Sequence, residues 1–456
     1  MKDRCKTSIK EMPLKAWTDE QIMSRLRKNE IENRKCYTEG GHVSGAVYIA
    51  DQKHWDFIAK VQGMFIVTNP LHMDEFKSVV QMEAEIIRMV ANLYQGGPES
   101  CGIVTSGGTE SIILACLAYR EIAKEKGITK PNMVMSETAH AAFDKAEFYL
   151  GIELRKVPQT KDLRVDLKAM RRQIDSNTIL LASSGPEYPY GNFDPLKEIA
   201  ALAMKWGIGC HLDACLGSFN NAFSERAGYK LPELVDFRQP GVTSISVDPH
   251  KYAFGPKGLG VCLFRNGEIR KYQFFGTMKW NGGFYATTSL LGSRPGSVIA
   301  GTWAAMMRIG TDGYIKNTKM ILDASRNIRK AIESEVPEMV LGSRHDSSVV
   351  SVLTRTDVAN PINAIALADV MKSECKWWLN TVQRPAGLHI AITLATAPDW
   401  RLFIDDLKKC IALMKSKPEL NHNSNVATYG IAAKVPDLTF LNNILRAHSA
   451  AVLDAL

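Results

Sequence analysis

The stretch SVDPHKYAFGPKG, Ser246–Gly258, sets Lys251 beside His250 and places a second lysine, Lys257, six residues further on. A lysine amine in such a proline- and glycine-bounded loop can be a covalent anchor, a phosphate contact or a solvated turn residue. Three other stretches carry groups able to do chemistry. TSGGTES, 105–111, lies between an apolar run and a helical pattern. A turn of that kind turns free backbone N–H groups and the positive end of a helix dipole toward an anion, and its two glycines allow close approach. It lacks both the GK[ST] ending of a nucleoside-triphosphate loop and the GxGxxG of a dinucleotide loop. Taken alone it suits a capped helix start as well as a ligand. HLDAC closes an apolar run on Asp213, where a cap or loop carboxylate and a ligand-facing carboxylate are both open readings. The pair His211 and Asp213 has no third ligand at useful spacing, so no metal site is expected. ETAHAAFDKA puts His140 just before a helix, as a cap or as an imidazole free to stack.

One cofactor accounts for these parts together. Pyridoxal 5'-phosphate needs a lysine for its imine, a carboxylate to keep its ring nitrogen protonated, a helix N-terminus for its phosphate and often a ring to stack on. The chain offers all four in the order phosphate loop, His140, Asp213, Lys251.

The elements that must position these residues follow from periodicity. From about residue 75, short apolar runs (CGIVT, NMVMS, TILLAS, GIGCHLDAC, TSISV, LGVCLFR) alternate with helical patterns such as SIILACLAYREIAKEKG and PLKEIAALAMKWG. Such alternation predicts an α/β fold whose mostly parallel sheet is covered by helices on both faces. The reading divides the chain into an N-terminal arm (1–60), a large domain (61–311) and a smaller C-terminal α+β domain (312–456). The arm contains an amphipathic helix over 17–35, capped by Thr18 or Asp19.

With 456 residues, 45% of them hydrophobic and 23% charged, the chain can bury sizeable cores. No apolar run approaches the roughly 18 residues that argue for a membrane span, and MKDRCKTSIKEMPLK has no signal-peptide apolar core. Nine cysteines without CxxC pairs predict reduced thiols and a soluble, cytoplasmic protein. About half of the net charge of +8 lies in residues 1–35, where ten Lys/Arg face six Asp/Glu. A solvated basic helix is expected there, with transient membrane-surface contact as the other reading. No aromatic-basic motif supports nucleic-acid binding.

SVDPHKYAFGPKG, TSGGTES, ETAHAAFDKA, HLDACLGSF and GSRPGSVIAGTWAAM together closely resemble the sphingosine-1-phosphate lyases, over about residues 37–314. These are fold type I pyridoxal-phosphate enzymes related to the group II amino acid decarboxylases. The resemblance implies that Lys251 forms the imine, Asp213 pairs with the ring nitrogen and His140 stacks on the ring. It implies that Gly108, Thr109 and His250 hold the cofactor phosphate, which Gly292 and Ser293 reach from the neighbouring subunit of a homodimer. It further implies that Tyr48, His72 and Lys257, with Asn69 close by, meet the phosphate of a long-chain base substrate. The reaction implied is retro-aldol cleavage between C2 and C3, giving a fatty aldehyde and phosphoethanolamine. Met73 stands where the family usually has proline, and the membrane span of eukaryotic members is missing from the sequence. Two other readings remain: an amino acid decarboxylase using the same Lys251, Asp213 and His140, and a non-catalytic protein that binds anionic lipid on the same fold.

Overall fold

The structure, a computed structural model, describes residues 9, 11–34, 36–37, 41–422, 426 and 439–454. The chain forms two compact units, one of Ser44–Val352 with His389–Ile404, the other of Met1–Val43, Leu353–Leu388 and Asp405–Leu456.

The larger unit is built on a seven-stranded sheet. Its strands are β1 (Cys101–Thr105), β2 (Asn132–Ser136), β3 (Glu153–Val157), β4 (Thr178–Ser184), β5 (Gly209–Asp213), β6 (Ser244–Val247) and β7 (Gly260–Phe264). They lie in the order β1-β7-β6-β5-β4-β2-β3. The run from β3 to β6 is parallel, and β7 is antiparallel to both of its neighbours. β7 must reverse because only the loop Asp248–Leu259, with no crossover helix, joins it to β6. β1 therefore runs in the same direction as β6, and the carboxyl ends of β1, β2, β5 and β6 share one rim. In open α/β sheets that rim is where ligands bind.

Buried strands explain the near-continuous apolar runs. Every residue of β2, β4, β5 and β7 is buried. The helix Gly108–Glu125 lays Ile112, Cys116 and Tyr119 against Met133, Met135, Phe143 and Leu180. Full burial of each large apolar side chain contributes about 1.5–3 kcal/mol, so this layer fixes the helix whose first turn belongs to the site. The helices Lys77–Leu93, Ala142–Leu150 and Leu196–Trp206 occupy the segments that the pattern predicts.

From Gly296 to Glu335 the chain is helical with one break at Gly310. There φ is +62°, a conformation open to glycine and strained for side chains. The break falls one residue before the expected end of the large domain at 311, yet the compact unit extends to Val352 because the second helical stretch packs within it.

In the other unit, the helix Asp19–Arg34 starts on a reciprocal cap: Gln21 N donates to Thr18 Oγ1 and Thr18 N donates to Gln21 Oε1. Thr18 is thus the cap, and Asp19 is the first helical residue. The strand His42–Val43 pairs in parallel with Trp377–Trp378, and the His42 ring stacks on Trp377 at 4.0 Å. Residues 1–8, 10 and 35 of the basic N-terminal stretch lie outside the described residues. Among the described residues, no helix is long and apolar enough to cross a membrane.

Candidate active site

Lys251, Asp213, His250 and the TSGGTES turn meet at the carboxyl rim of the sheet. β6 ends at Val247, and the chain turns at once through Asp248, Pro249, His250 and Lys251. The Lys251 Nζ lies 2.9 Å from Asp248 Oδ2, and His250 Nε2 is 3.7 Å from the same oxygen. Burial, the largest single influence, works against the charge on Lys251, but the Asp248 carboxylate together with Cys215 and Tyr48 holds the ammonium above the ordinary lysine value. Burial lowers His250 below its ordinary value, which favours the neutral ring.

The phosphate-loop reading rests on the first turn of the helix Gly108–Glu125. Gly107 has φ +140°, and a Cβ there would stand 3.1 Å from His250 Cε1. A Cβ on Gly108 would stand 2.6 Å from Cys215 Sγ and 2.8 Å from Asp248 Oδ2. Ser106 N and Gly107 N donate to Glu110 Oε2 and Thr105 Oγ1, so the N–H groups of Gly108 and Thr109 at the helix start are the ones left for an anion, and the glycines let it approach closely. Thr109 is exposed at the same turn. Two buried polar atoms beside it, Asp248 Oδ1 and His250 Nδ1, have no hydrogen-bond partner among the described residues.

Asp213 ends β5 and is buried. Its Oδ1 accepts from Cys215 N at 3.0 Å, and the Cys215 thiol lies against the same carboxylate. His211, on the same strand face, is held between Ser244 Oγ and Ser246 Oγ at 2.8 and 2.9 Å. Burial lowers its pKa to about 4, so it is a neutral core residue. Among the described residues no cluster suited to a metal ion occurs. His140 follows β2, and its Nδ1 accepts from Ala142 N at 3.0 Å. The ring is exposed, so capping the helix leaves its faces open and joins both sequence readings.

Tyr48 and Lys257 also come together. The Lys257 Nζ lies 4.3 Å above the Tyr48 ring, which packs edge-on against Tyr252 at 4.9 Å. Burial and then the Lys251 charge pull Lys257 down to about 8. Burial pushes the Tyr48 phenol up to about 12, with Lys251 opposing.

Asn69, Gly292 and Ser293 form a separate cluster. Asn69 Nδ2 donates to Ser293 Oγ at 3.0 Å, and Asn69 Oδ1 accepts from Arg294 N at 3.1 Å. His72 is exposed on the Asn69 turn, its N–H donating to Asn69 O. Ser293 is exposed and Gly292 half-buried. Asn69 thus ties its own turn, through Leu71 N and His72 N, to the loop carrying Ser293.

Asp248 and Cys215 were not singled out from the sequence. The proximity of Asp248 to Lys251, within one turn of the same motif, was the available signal. Nothing local pointed to Cys215 beneath Gly108.

The donor set fits pyridoxal phosphate: an amine for the imine, a buried carboxylate at a strand end, an exposed imidazole and a glycine-lined helix N-terminus flanked by His250, whose Nδ1 has no hydrogen-bond partner among the described residues. Residues 46–353 match the pyridoxal-dependent decarboxylase conserved domain. Over 453 residues, 99% of this chain and 78% of the relative, the chain is 40% identical to the sphingosine-1-phosphate lyase of Rattus norvegicus. It is 41% identical to the lyase of Arabidopsis thaliana over 92% of this chain and 77% of that one. The chain belongs to the sphingosine-1-phosphate lyase family. It is therefore a pyridoxal-phosphate-dependent enzyme, as the family's conserved domain requires. Among solved structures, the Burkholderia pseudomallei lyase superposes with a TM-score of 0.84 at 32% identity, covering 91% of this chain and 98% of that one. Glutamate decarboxylase of Lactobacillus brevis shares the fold, with a TM-score of 0.74 at 20% identity over 92% of this chain and 97% of that one. The lyase family accounts for the mostly parallel sheet and the Lys251 loop together.

Proposed function

We propose that the enzyme cleaves the C2–C3 bond of long-chain base phosphates such as sphingosine 1-phosphate, releasing a fatty aldehyde and phosphoethanolamine. The observation that carries this reading is Lys257. It supplies a second cation in the loop of the anchoring lysine, over the ring of Tyr48, where a substrate phosphate can be met apart from the cofactor's own.

Pyridoxal phosphate, when bound, supplies an electron-withdrawing ring conjugated to the substrate amine, which accommodates the electron pair of the breaking bond. Lys251 is the covalent anchor and yields its place to the substrate amine. Asp213 is the carboxylate that would pair with the ring nitrogen and favour its protonated form. His140 covers one ring face. Gly108, Thr109 and His250 hold the cofactor phosphate through backbone N–H groups, a hydroxyl and the Nδ1 that has no hydrogen-bond partner among the described residues. Lys257 and Tyr48, the latter protonated at neutral pH, orient the substrate phosphate, with His72 as a further donor. Gly292 and Ser293 act on the neighbouring subunit's cofactor phosphate in a homodimer, and Asn69 serves by holding Ser293. The eight described cysteines are free thiols, which suits the cytoplasm as the working compartment.

The test is a product assay. Sphingosine 1-phosphate should give aldehyde and phosphoethanolamine in equal amounts, with no carbon dioxide. Carbon dioxide from glutamate or an aromatic amino acid, with no aldehyde from the phosphorylated base, would sink the proposal. Lys251→Ala should purify without the yellow colour of the wild type.

A further inference from the structure

Glu110 is a buried acid that the reaction does not use. It lies in the first turn of the helix Gly108–Glu125 and is 5% exposed. Each carboxylate oxygen takes a different backbone N–H: Oε2 accepts from Ser106 N at 2.5 Å, and Oε1 accepts from Leu290 N at 2.9 Å. Ser106 belongs to the turn proposed to hold the chain's own cofactor phosphate. Leu290 begins the segment that presents Gly292 and Ser293.

That segment is fastened at both ends. Glu110 holds its start. At the far end Asn69 holds Ser293 Oγ and Arg294 N, Glu83 makes a two-pronged ion pair with the Arg294 guanidinium, and Gly296 N donates to Thr68 O. Gly292 and the exposed Ser293 stand between the anchors.

We infer that Glu110 is a positioning residue that couples two active sites: one carboxylate holds the phosphate turn of its own site and the segment delivered to the partner's site. Shifting either backbone group moves the carboxylate and therefore the other group, since the two N–H donors share one buried side chain. This inference rests on the shared-site dimer of the proposed function.

Mixed dimers separate the two halves of the claim, with pyridoxal 5'-phosphate as the titrated probe. One subunit carries Lys251→Ala, so visible absorbance reports only the site that retains the lysine. Placing Glu110→Ala on the subunit with the intact lysine tests the phosphate turn. Placing it on the Lys251→Ala subunit tests the segment reaching across. In both arrangements the cofactor Kd should rise about tenfold over the dimer bearing Lys251→Ala alone, the loss expected for one hydrogen bond to a charged group. Glu110→Gln, which keeps the shape and one acceptor oxygen, should lie between wild type and Glu110→Ala, and it serves if the alanine variant does not fold.

Weakening only when the substitution sits on the subunit with the intact lysine would reduce Glu110 to a cap of its own turn and overturn the coupling. A protein that sediments as a monomer while binding cofactor fully overturns the shared-site reading, and the coupling with it.

Discussion

Lys257 gives the proposed substrate site a titration that can be followed. Its pKa of about 8 is set first by burial and then by the Lys251 charge, with Asp248 partly offsetting both. About nine in ten Lys257 side chains are therefore charged at pH 7 and about one in ten at pH 9, since each pH unit away from the pKa is a factor of ten. Over that interval Tyr48 stays protonated near its value of about 12, and His250 stays neutral. A phosphate monoester is already a dianion, its second pKa being about 6.

A hydrogen bond to a charged group contributes about 1.5–3 kcal/mol. Lys257→Met should then lower kcat/KM for sphingosine 1-phosphate by about 10- to 150-fold at pH 7. The parameter kcat/KM reports the enzyme before substrate binds, so the Lys257 titration is read there without the bound substrate phosphate. Because the stabilisation needs the charged lysine, it is lost as pH rises through that pKa. The wild-type to Lys257→Met ratio should therefore fall toward one by about pH 9.5. Taking the ratio cancels the titration of the substrate amine, which is common to both enzymes. The assay is initial-rate kinetics in half-unit pH steps with cofactor content checked by visible absorbance. A ratio that stays constant from pH 7 to 9.5 would refute the phosphate role. So would loss of the cofactor band in Lys257→Met, because the second lysine would then belong to the cofactor site.

Other substitutions follow from the same geometry. Gly108→Ala should fold with a stability loss of about 1–3 kcal/mol, the usual cost of overpacking, and should raise the cofactor Kd at least about tenfold because its Cβ displaces Cys215 or Asp248; a spectroscopic titration matching wild type would refute the cradle. Glu187 is buried in the turn before Asn192, and burial pushes its carboxyl up to about 8 against hydrogen bonds from the Asn192 and Tyr190 N–H groups. A carboxyl raised on folding favours the folded state fully below the unfolded pKa of about 4.3 and progressively less up to about 8. Between pH 5.5 and 7.5, Glu187→Gln should thus lose about 2–3 kcal/mol less stability than wild type in urea unfolding; parallel losses would mean that Glu187 is ionised in the folded chain. Arg294→Met breaks the buried pair with Glu83 and should cost about 3–5 kcal/mol in urea unfolding, whereas a change below about 1 kcal/mol, as for a surface pair, would show that the pair does not hold the segment.

Much of the large unit was legible because its strands are buried on both faces. β1, β2, β4, β5, β6 and β7 each coincide with a short apolar run, and the helices between them keep an apolar stripe. β3 escaped for the complementary reason. It is an edge strand, ELRKV, whose outer positions face water, and charged residues there obscure the pattern. The helices Gln52–Met64 and Leu167–Gln173 gave no comparable signal, the second because seven residues are too few to show a period. In the site, Lys251, Asp213, His140 and the Gly107–Gly108 turn were readable because each is tied to a strand end or a helix start.

The sequence by itself determined the alternation of strands and helices, the residue types that pyridoxal phosphate requires and their order along the chain. These depend on local periodicity and on chemistry carried by single side chains. Only the tertiary structure decided which groups face one another. The place of β7 between β1 and β6 brings the turn before the helix Gly108–Glu125 beside the Asp248–Lys251 turn, so that Gly108 meets Asp248, and packing of the N-terminal segment sets Tyr48 under Lys257. The tertiary structure also joins Asn69 to Ser293, more than two hundred residues along the chain. Strand order is settled by packing the whole sheet, so no short stretch of sequence carries it.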